Sequence, residues 1–168
     1  DYNGRDNTDA ERVGKPATIV VDGATFIAGK AYSESGADYS YNADNYGLNV
    51  GTVDGKFVLL DIKNGAKVEI YTGDGKTANF GAGATVNVDA STLNVLCRAT
   101  DGVATLANAG TVNVSGESKL DIKNFSGNAI ELRNGTLVDS HIAGRVNAFG
   151  TNNINGTTII GGILSLGY

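Results

Sequence analysis

The sequence has no methionine, no tryptophan, one cysteine and one proline among its 168 residues. A single cysteine excludes a disulfide scaffold and a zinc module built from several cysteines. The scarcity of proline, without a Gly-X-Y repeat, excludes a collagen-like chain. No apolar run reaches the roughly 18 residues of a transmembrane helix, so the sequence predicts no membrane-spanning segment.

Charge of either sign is also sparse. Charged residues make up 18% of the chain and the formal net charge is −5, whereas a nucleic-acid-binding domain normally carries a basic surface. Lysines and arginines occur singly, so we expect no nucleic acid among the partners. The chain starts at Asp1 rather than at methionine, as a mature protein does after loss of a signal peptide, or an excised fragment. Together with many Asn, Gly and Thr residues, this predicts a secreted, extracellular or cell-surface bacterial protein.

Glycine is abundant, with 24 residues, and it separates short runs in which apolar and polar residues alternate. Such runs predict β-strands. The first column of runs has the central apolar residues Leu60, Val86, Val112, Leu137 and Ile159. A second column comprises residues 68–70, 93–95, 120–122, the surroundings of Ile142, and 164–166. A third, weaker column comprises Phe80 and residues 103–106, 130–132 and 149–154. Along the first column the interval is nearly constant, which indicates a structural repeat.

Two all-β architectures fit short strands with turn residues between them. In a β-sandwich consecutive strands pair antiparallel, and no spacing has to recur. In a parallel β-helix, or β-solenoid, each coil stacks on the next and similar residues return once per coil. The recurring interval favours the β-helix, with about 22–26 residues per coil. We expect the repeats in residues 57–168, and in residues 1–56 an N-terminal arm or cap, a Tyr-rich loop, and first strands. Those strands, Thr18–Val21 and Ala24–Ile27 around Asp22-Gly23, predict a hairpin or a first coil.

Two segments, Ala84–Val88 and Gly110–Gly116, resemble the repeats of bacterial autotransporter-type and related surface adhesins. The resemblance covers roughly residues 57–166. It implies a right-handed parallel β-helix in an exported, often adhesive region, and it transfers no catalytic residue.

The best candidates for binding are four tyrosines among Ser, Asn, Asp and Gly: Tyr32, Tyr39, Tyr41 and Tyr46. Aromatic faces stack on sugars or on partner side chains, and the tyrosine hydroxyl adds a hydrogen bond. The alternative is a cap in which the tyrosines cover the first coil. A glycan or a surface partner is therefore one expected ligand class.

The sequence predicts an assembly end at the apolar residues Ile163, Leu164, Leu166 and Tyr168. An open solenoid end exposes core residues and unpaired strand edges. We expect this end to be covered by another subunit, to fold back, or to be cut from a longer rod. Self-association end to end into a filament is the specific version of this prediction.

Three patterns suggest chemistry, and each has a simpler interpretation. Asp139, Ser140 and His141 contain the residue types of a hydrolase, yet no nucleophile-elbow motif accompanies them, so a surface histidine is favoured. Cys97 is expected to be buried and inert, although a thiol can also pair between chains. Aspartates before glycine could bind calcium, but turn chemistry explains them, and we predict no cofactor and no metal site.

Polysaccharide lyases and hydrolases share the β-helix, so a carbohydrate-active enzyme is the alternative function. Its candidate residues are Arg98, Arg133 and Arg145 with Asp101 or Asp139. A column of Thr85, Thr111, Thr136 and Thr157 resembles an ice-binding surface, but β-propensity alone explains one such column. The favoured prediction is a non-enzymatic structural or adhesive protein without catalytic residues.

Overall fold

The computed structural model describes residues 17–28, 49–50, 58–72, 78–97, 106–122, 124–160 and 164–166. The described residues contain seventeen β-strands and no helix. The strands are β1 (Thr18–Asp22), β2 (Thr25–Ala28), β3 (Asn49–Val50), β4 (Leu59–Lys63), β5 (Lys67–Thr72), β6 (Ala78–Phe80), β7 (Thr85–Asp89), β8 (Thr92–Cys97), β9 (Leu106–Asn108), β10 (Thr111–Ile122), β11 (Phe125–Gly127), β12 (Ile130–Val138), β13 (His141–Ala143), β14 (Val146–Phe149), β15 (Asn153–Asn155), β16 (Thr158–Ile160) and β17 (Leu164–Leu166).

These strands pair in parallel, each with the strand one coil earlier or later. Side A of the stack consists of β1, β4, β7, residues 111–115 of β10, residues 130–133 of β12, β14 and β17. Side B consists of β2, β5, β8, residues 119–122 of β10, β13 and β16. Side C consists of β3, β6, β9 and β11. Parallel pairing from coil to coil confirms the predicted all-β parallel β-helix and excludes the sandwich.

Strands β1 and β2 form a first coil rather than a hairpin. Strand β1 pairs in parallel with β4, and β2 pairs in parallel with β5. Between them Gly23 has a φ of 58°, as the predicted Asp22-Gly23 turn requires. The sequence has further Asp-Gly pairs at Asp54, Asp74 and Asp101, and these lie outside the described residues.

The coil length is not constant, and here the predicted repeat is partly wrong. Leu60 pairs with Val86, and Val86 with Val112, as the predicted interval requires. Val112 then pairs with Ile130, and Ile130 with Val146, so the later coils are distinctly shorter than predicted. One cause is the spacing between the strands of sides B and C: β8 ends at Cys97 and β9 begins at Leu106, whereas β10 ends at Ile122 and β11 begins at Phe125.

A second cause is a change in the cross-section. Residues 116–118 of β10 form a corner, and residues 135–137 of β12 are in register with them. In β12 this corner has become an extended stretch, because residues 136–138 also pair with β15. Residues 135–138 of β12 and strand β15 form side D, which lies between sides A and B. We call the coils of residues 59–127 the ABC coils, and those of residues 130–160 the ABD coils.

This change overturns several assignments of the predicted columns. Leu137 pairs with Ser118 and Ile154 on side D, and Ile159 pairs with Ile142 on side B, so neither belongs to the first column. Residues 164–166 pair with β14 on side A rather than with side B. Residues 130–132 lie on side A rather than in a third column.

The core is a set of aliphatic ladders inside the coils. Alternate residues of each side point inward, and most of these are fully buried, among them Leu60, Val86, Val112 and Ile130. Burying one such side chain stabilises the fold by about 1.5–3 kcal/mol. Side C adds Phe80, which is fully buried, and Phe125.

A left-handed residue follows side A in successive coils. The φ angles are 58° at Gly23, 57° at Asn64, 45° at Ala90 and 60° at Gly116. A Cβ atom on Gly116 would lie 2.7 Å from the backbone nitrogen of Ala90, so this corner also requires close backbone approach. Glycine and asparagine adopt this conformation at low cost, which explains their recurrence in the sequence.

Candidate functional site

Most of the predicted site residues lie outside the described part of the chain. Those residues are Tyr32, Tyr39, Tyr41, Tyr46, Ile163 and Tyr168. Leu164 and Leu166 of the predicted assembly end lie in β17, where their backbones pair with Val146 and Ala148. Cys97 is the last residue of β8, and its backbone pairs with Thr72.

The predicted threonine column is broken after two members. Thr85 and Thr111 are neighbours on side A. Thr136 lies on side D, in register with Glu117 and Asn153. Thr157 precedes β16, where its hydroxyl donates to the Leu137 carbonyl and accepts from the Ser140 N–H. A flat threonine face therefore does not form.

In the Asp139-Ser140-His141 segment, the serine hydroxyl has a structural role. Ser140 is buried, and its hydroxyl accepts from the Leu120 N–H at 3.0 Å and donates to the Val138 carbonyl at 2.9 Å. His141 lies on the outside of side B, in register with Asp121. Because the Ser140 hydroxyl is held by backbone groups inside the coil, it is not presented as a nucleophile.

Ser140 belongs to a buried hydroxyl ladder that the sequence reasoning missed. The Ser91 hydroxyl accepts from the Ala66 N–H at 3.1 Å, and the Ser118 hydroxyl accepts from the Ser91 N–H at 3.2 Å. Ser140 and Thr157 continue the arrangement in the ABD coils. Each hydroxyl accepts from a backbone N–H at the start of side B, where an unpaired buried donor would be costly. The Ala66 N–H also donates to the Lys63 carbonyl at 3.2 Å. The recurrence of serine one coil apart, at Ser91 and Ser118, was the available signal.

The arginines proposed for a carbohydrate-active enzyme occupy separate positions. Arg145 immediately precedes side A, whereas Arg133 is in register with Phe149 near the far end of that side. Asp139 lies in the turn after side D. Arg98 and Asp101 lie outside the described residues. The described members of that set are thus distributed along the coil.

A polar ladder runs along the outside of side A. The Asn87 amide donates to Asp61 Oδ1 at 3.4 Å, and the Asn113 amide donates to Asn87 Oδ1 at 3.0 Å. Arg133 Nε donates to Asn113 Oδ1 at 3.3 Å and to Glu131 at 3.0 Å.

The residue types fit the direction of this ladder. An asparagine amide both donates and accepts, so Asn87 and Asn113 can each donate to the coil before and accept from the coil after. The ladder starts at Asp61, which only accepts when ionised, and ends at Arg133, which only donates. Arg133 also lies over the Phe149 ring, 4.6 Å from its centroid, a cation–π contact that fixes its position. The outer surface of side A is therefore ordered by its own hydrogen bonds.

A groove of about 430 Å³ opens beside this ladder, at the corner where side C ends. Its walls are Gly110, Thr111, Asn128, Ala129, Glu131, Arg145, Asn147 and Ser165. These residues form two columns across the coils. Thr111, Ala129 and Arg145 each immediately precede one of the paired residues of side A, and Glu131, Asn147 and Ser165 are in register with one another.

The corner around the groove is braced by side chains. Asn128 Nδ2 donates to the carbonyls of Ala109 and Gly110 at 3.0 and 2.9 Å. Arg145 Nη2 donates to the Gly127 carbonyl at 2.7 Å, at the end of β11. The Arg145 carbonyl in turn accepts from the Ile130 N–H. Two groove residues therefore hold the backbone at the point where the ABC coils give way to the ABD coils.

Ala129 has the smallest side chain in its column of the groove lining. Ala129 stands between Thr111 and Arg145 in its column, and both neighbours are larger. The flanking column presents the Glu131 carboxylate, the Asn147 amide and the Ser165 hydroxyl. Within the described ranges, no group of three or more His, Cys, Asp or Glu side chains is placed to hold a metal ion.

Comparison of the chain with protein-family models, with curated proteins and with solved structures found no match. What the fold and the groove define is a class, a parallel β-solenoid with a polar outer face. Among the described residues, no helix is both long and apolar enough to span a membrane.

Proposed function

We propose that this chain is an exported, non-enzymatic β-solenoid that serves as a structural and adhesive element of a bacterial surface or extracellular matrix. Its role is presentation: a rigid stack displays side chains at fixed positions to a ligand or to another chain.

The observation that carries this proposal is the ordering of side A. Parallel pairing runs without interruption from β1 to β17, and the side chains outside it are hydrogen-bonded between coils from Asp61 to Arg133. A ligand that contacts such a surface meets side chains that are already ordered, so binding loses less conformational entropy. Preorganisation of this kind suits adhesion.

Exposed apolar residues on the first coil support self-association as the structural part of the role. Ile19 is in register with the fully buried Leu60, yet it is 39% exposed. Val20 and Ile27, on the same coil, are 50% and 47% exposed. We propose that another copy stacks on this coil, with its β17 end supplying Leu164 and Leu166. Such a contact joins two different surfaces, so repeating it produces a filament.

Size measurement across a range of protein concentrations tests the assembly. We expect the mass to rise with concentration, and Ile19→Lys to hold the chain at monomer mass because a buried unpaired charge is costly. Asn79→Lys is the matched control, since Asn79 is exposed on the outside of side C, in register with Asn49 and Ala107 of the neighbouring coils, and should leave assembly unchanged. A monomer at every concentration would exclude the filament.

The non-enzymatic part has a separate test. Incubation with acidic polysaccharides should release no oligosaccharide products. Turnover that disappears in Arg98→Ala, Arg133→Ala or Arg145→Ala would replace this proposal with the carbohydrate-active enzyme.

A further inference from the structure

We infer that the groove lined by Thr111, Ala129, Glu131, Arg145 and Asn147 binds a sugar unit of an oligosaccharide through its hydroxyl groups. This inference deepens the proposed function, on which it rests, because it names the ligand class of the adhesive surface and places the site on side A.

The size and shape of the groove admit such a ligand. Its volume of about 430 Å³ lies within the roughly 300–1,000 Å³ of small-molecule sites. From Thr111 to Ser165 it crosses four coils, or about 14 Å at an inter-strand spacing of about 4.8 Å. This suits an extended chain that lies along the stack rather than a single ion.

The chemistry of the lining selects hydroxyl groups. The Glu131 carboxylate accepts, the Arg145 guanidinium donates, and the Asn147 amide does both. A sugar hydroxyl also donates and accepts, so neighbouring hydroxyls can be matched by the adjacent Glu131 and Asn147 in register. The Ser165 and Thr111 hydroxyls extend the same capacity along both columns.

Other ligand classes fit less well. An apolar ligand finds only Ala129 and glycine among these polar side chains. An anion would meet Arg145, but Arg145 Nη2 already donates to the Gly127 carbonyl, and the Glu131 carboxylate offers an anion no donor. A peptide that adds a strand needs an open sheet edge, whereas side A is paired in register on both flanks here.

Existing contacts make the site rigid before the ligand arrives. Arg133 holds the Glu131 carboxylate, and the Gly127 carbonyl holds Arg145. Because these side chains are already ordered, binding loses less conformational entropy. The step from side C to side D creates the concave corner, so the groove belongs to the junction between the two coil types.

The test is a titration of isotope-labelled protein, followed by NMR amide shifts, with two probe sets: neutral malto- and cello-oligosaccharides, and oligogalacturonides. We expect saturable shifts at Asn128, Glu131 and Asn147 with at least one neutral probe. Ala129→Leu, which fills the groove without changing charge, should weaken this binding at least about tenfold. Glu131→Gln should also weaken it, since a charge-assisted acceptor is lost.

Ala143→Leu is the matched control, because it makes the same change at a half-exposed alanine on side B and should leave binding intact. Lack of saturable shifts with every probe overturns the inference. So does sugar binding that Ala129→Leu leaves unaffected, or binding of oligogalacturonides alone that Arg145→Gln abolishes, since the latter marks a carboxylate site. The proposed function has its own readouts, assembly and turnover, so each can fail while the other stands.

Discussion

The ABC coils and the ABD coils solve the same packing problem with different third sides. Sides A and B continue through both, in register, from β4 to β14 and from β5 to β16. In the ABC coils the third side precedes side A and brings in Phe80 and Phe125. In the ABD coils it follows side A and brings in Leu137. Sides A and B thus fix the register of the stack, while the third side occupies a different position in the two coil types.

What makes the change possible is the corner after side A. In the ABC coils this corner is a single turn, such as Ser115-Gly116. In the ABD coils it widens into a short strand flanked by two left-handed positions, Asn134 and Asp139, at φ angles of 49° and 43°. The polar groove lies where the opposite corner loses side C. The replacement of side C by side D therefore accounts both for the two coil types and for the position of the groove.

The largest expected effect comes from removing the aromatic core of the ABC coils. Phe80→Ala should lower the free energy of unfolding by about 3–5 kcal/mol, because Phe80 is fully buried and its loss leaves a cavity. Leu137→Ala, the counterpart on side D, should cost less, towards the lower end of the about 2–5 kcal/mol typical of leucine, since fewer atoms are removed. Denaturant titration of both variants measures the difference. A larger loss for Leu137→Ala would mean that side C contributes less to the core than side D.

The junction between the coil types should be the next most sensitive place. A Cβ atom on Gly144 would lie 1.9 Å from Cε1 of Phe125, so Gly144→Ala forces the ring out of its packed position. Overpacking of this kind costs about 1–3 kcal/mol. Gly65→Ala is the control, because a Cβ atom there has nothing within 4 Å and only backbone strain is added. Equal losses of stability in thermal unfolding would show that the Phe125 contact is unimportant.

The hydroxyl ladder is shared by both coil types, so its removal should cost the same in each. Ser118→Ala leaves the Ser91 N–H without its acceptor, and Ser140→Ala does the same to the Leu120 N–H. A buried unsatisfied donor costs about 1–3 kcal/mol. Ser115→Ala, which removes an exposed hydroxyl bound to Asp89, should cost less. If Ser140→Ala proves harmless while Ser118→Ala does not, the ABD coils do not depend on the ladder.

The sequence was sufficient to predict the ABC coils because their strands on sides A and B are long enough to show alternation and recur at nearly the same interval. It was insufficient in the ABD coils, where β13, β15 and β16 are much shorter. Alternation over so short a strand does not tell one side from another. The better signal was the spacing of the corners, which is nearly the same from Asn134 to Gly150 as from Asp139 to Gly156, with all four residues at positive φ.

The groove was beyond sequence reasoning for the same reason. Its two columns exist only if Ile130 and Val146, rather than Leu137 and Ile159, follow Val112 on side A. With the predicted interval, Ala129 and Arg145 would not have been neighbours. The polar ladder could have been predicted more easily, because Asn87 and Asn113 are one regular coil apart.

The smallest expected effect tests the corner that both coil types share. Ala90 holds a left-handed backbone, with a φ of 45°, at a position where other coils have Gly or Asn. An L-residue with a Cβ incurs about 1–2 kcal/mol of strain in this conformation, whereas glycine loses about 0.5–1 kcal/mol through its freer unfolded chain. Ala90 is exposed, so Ala90→Gly sacrifices little packing and should raise the unfolding free energy by about 0.5 kcal/mol. Ala107→Gly, in the extended strand β9, should have the opposite sign because no strain is relieved there. Denaturant midpoints of the two variants decide the matter: if both fall, the left-handed corner is not a source of strain, and the recurrence of Gly and Asn after side A needs another explanation.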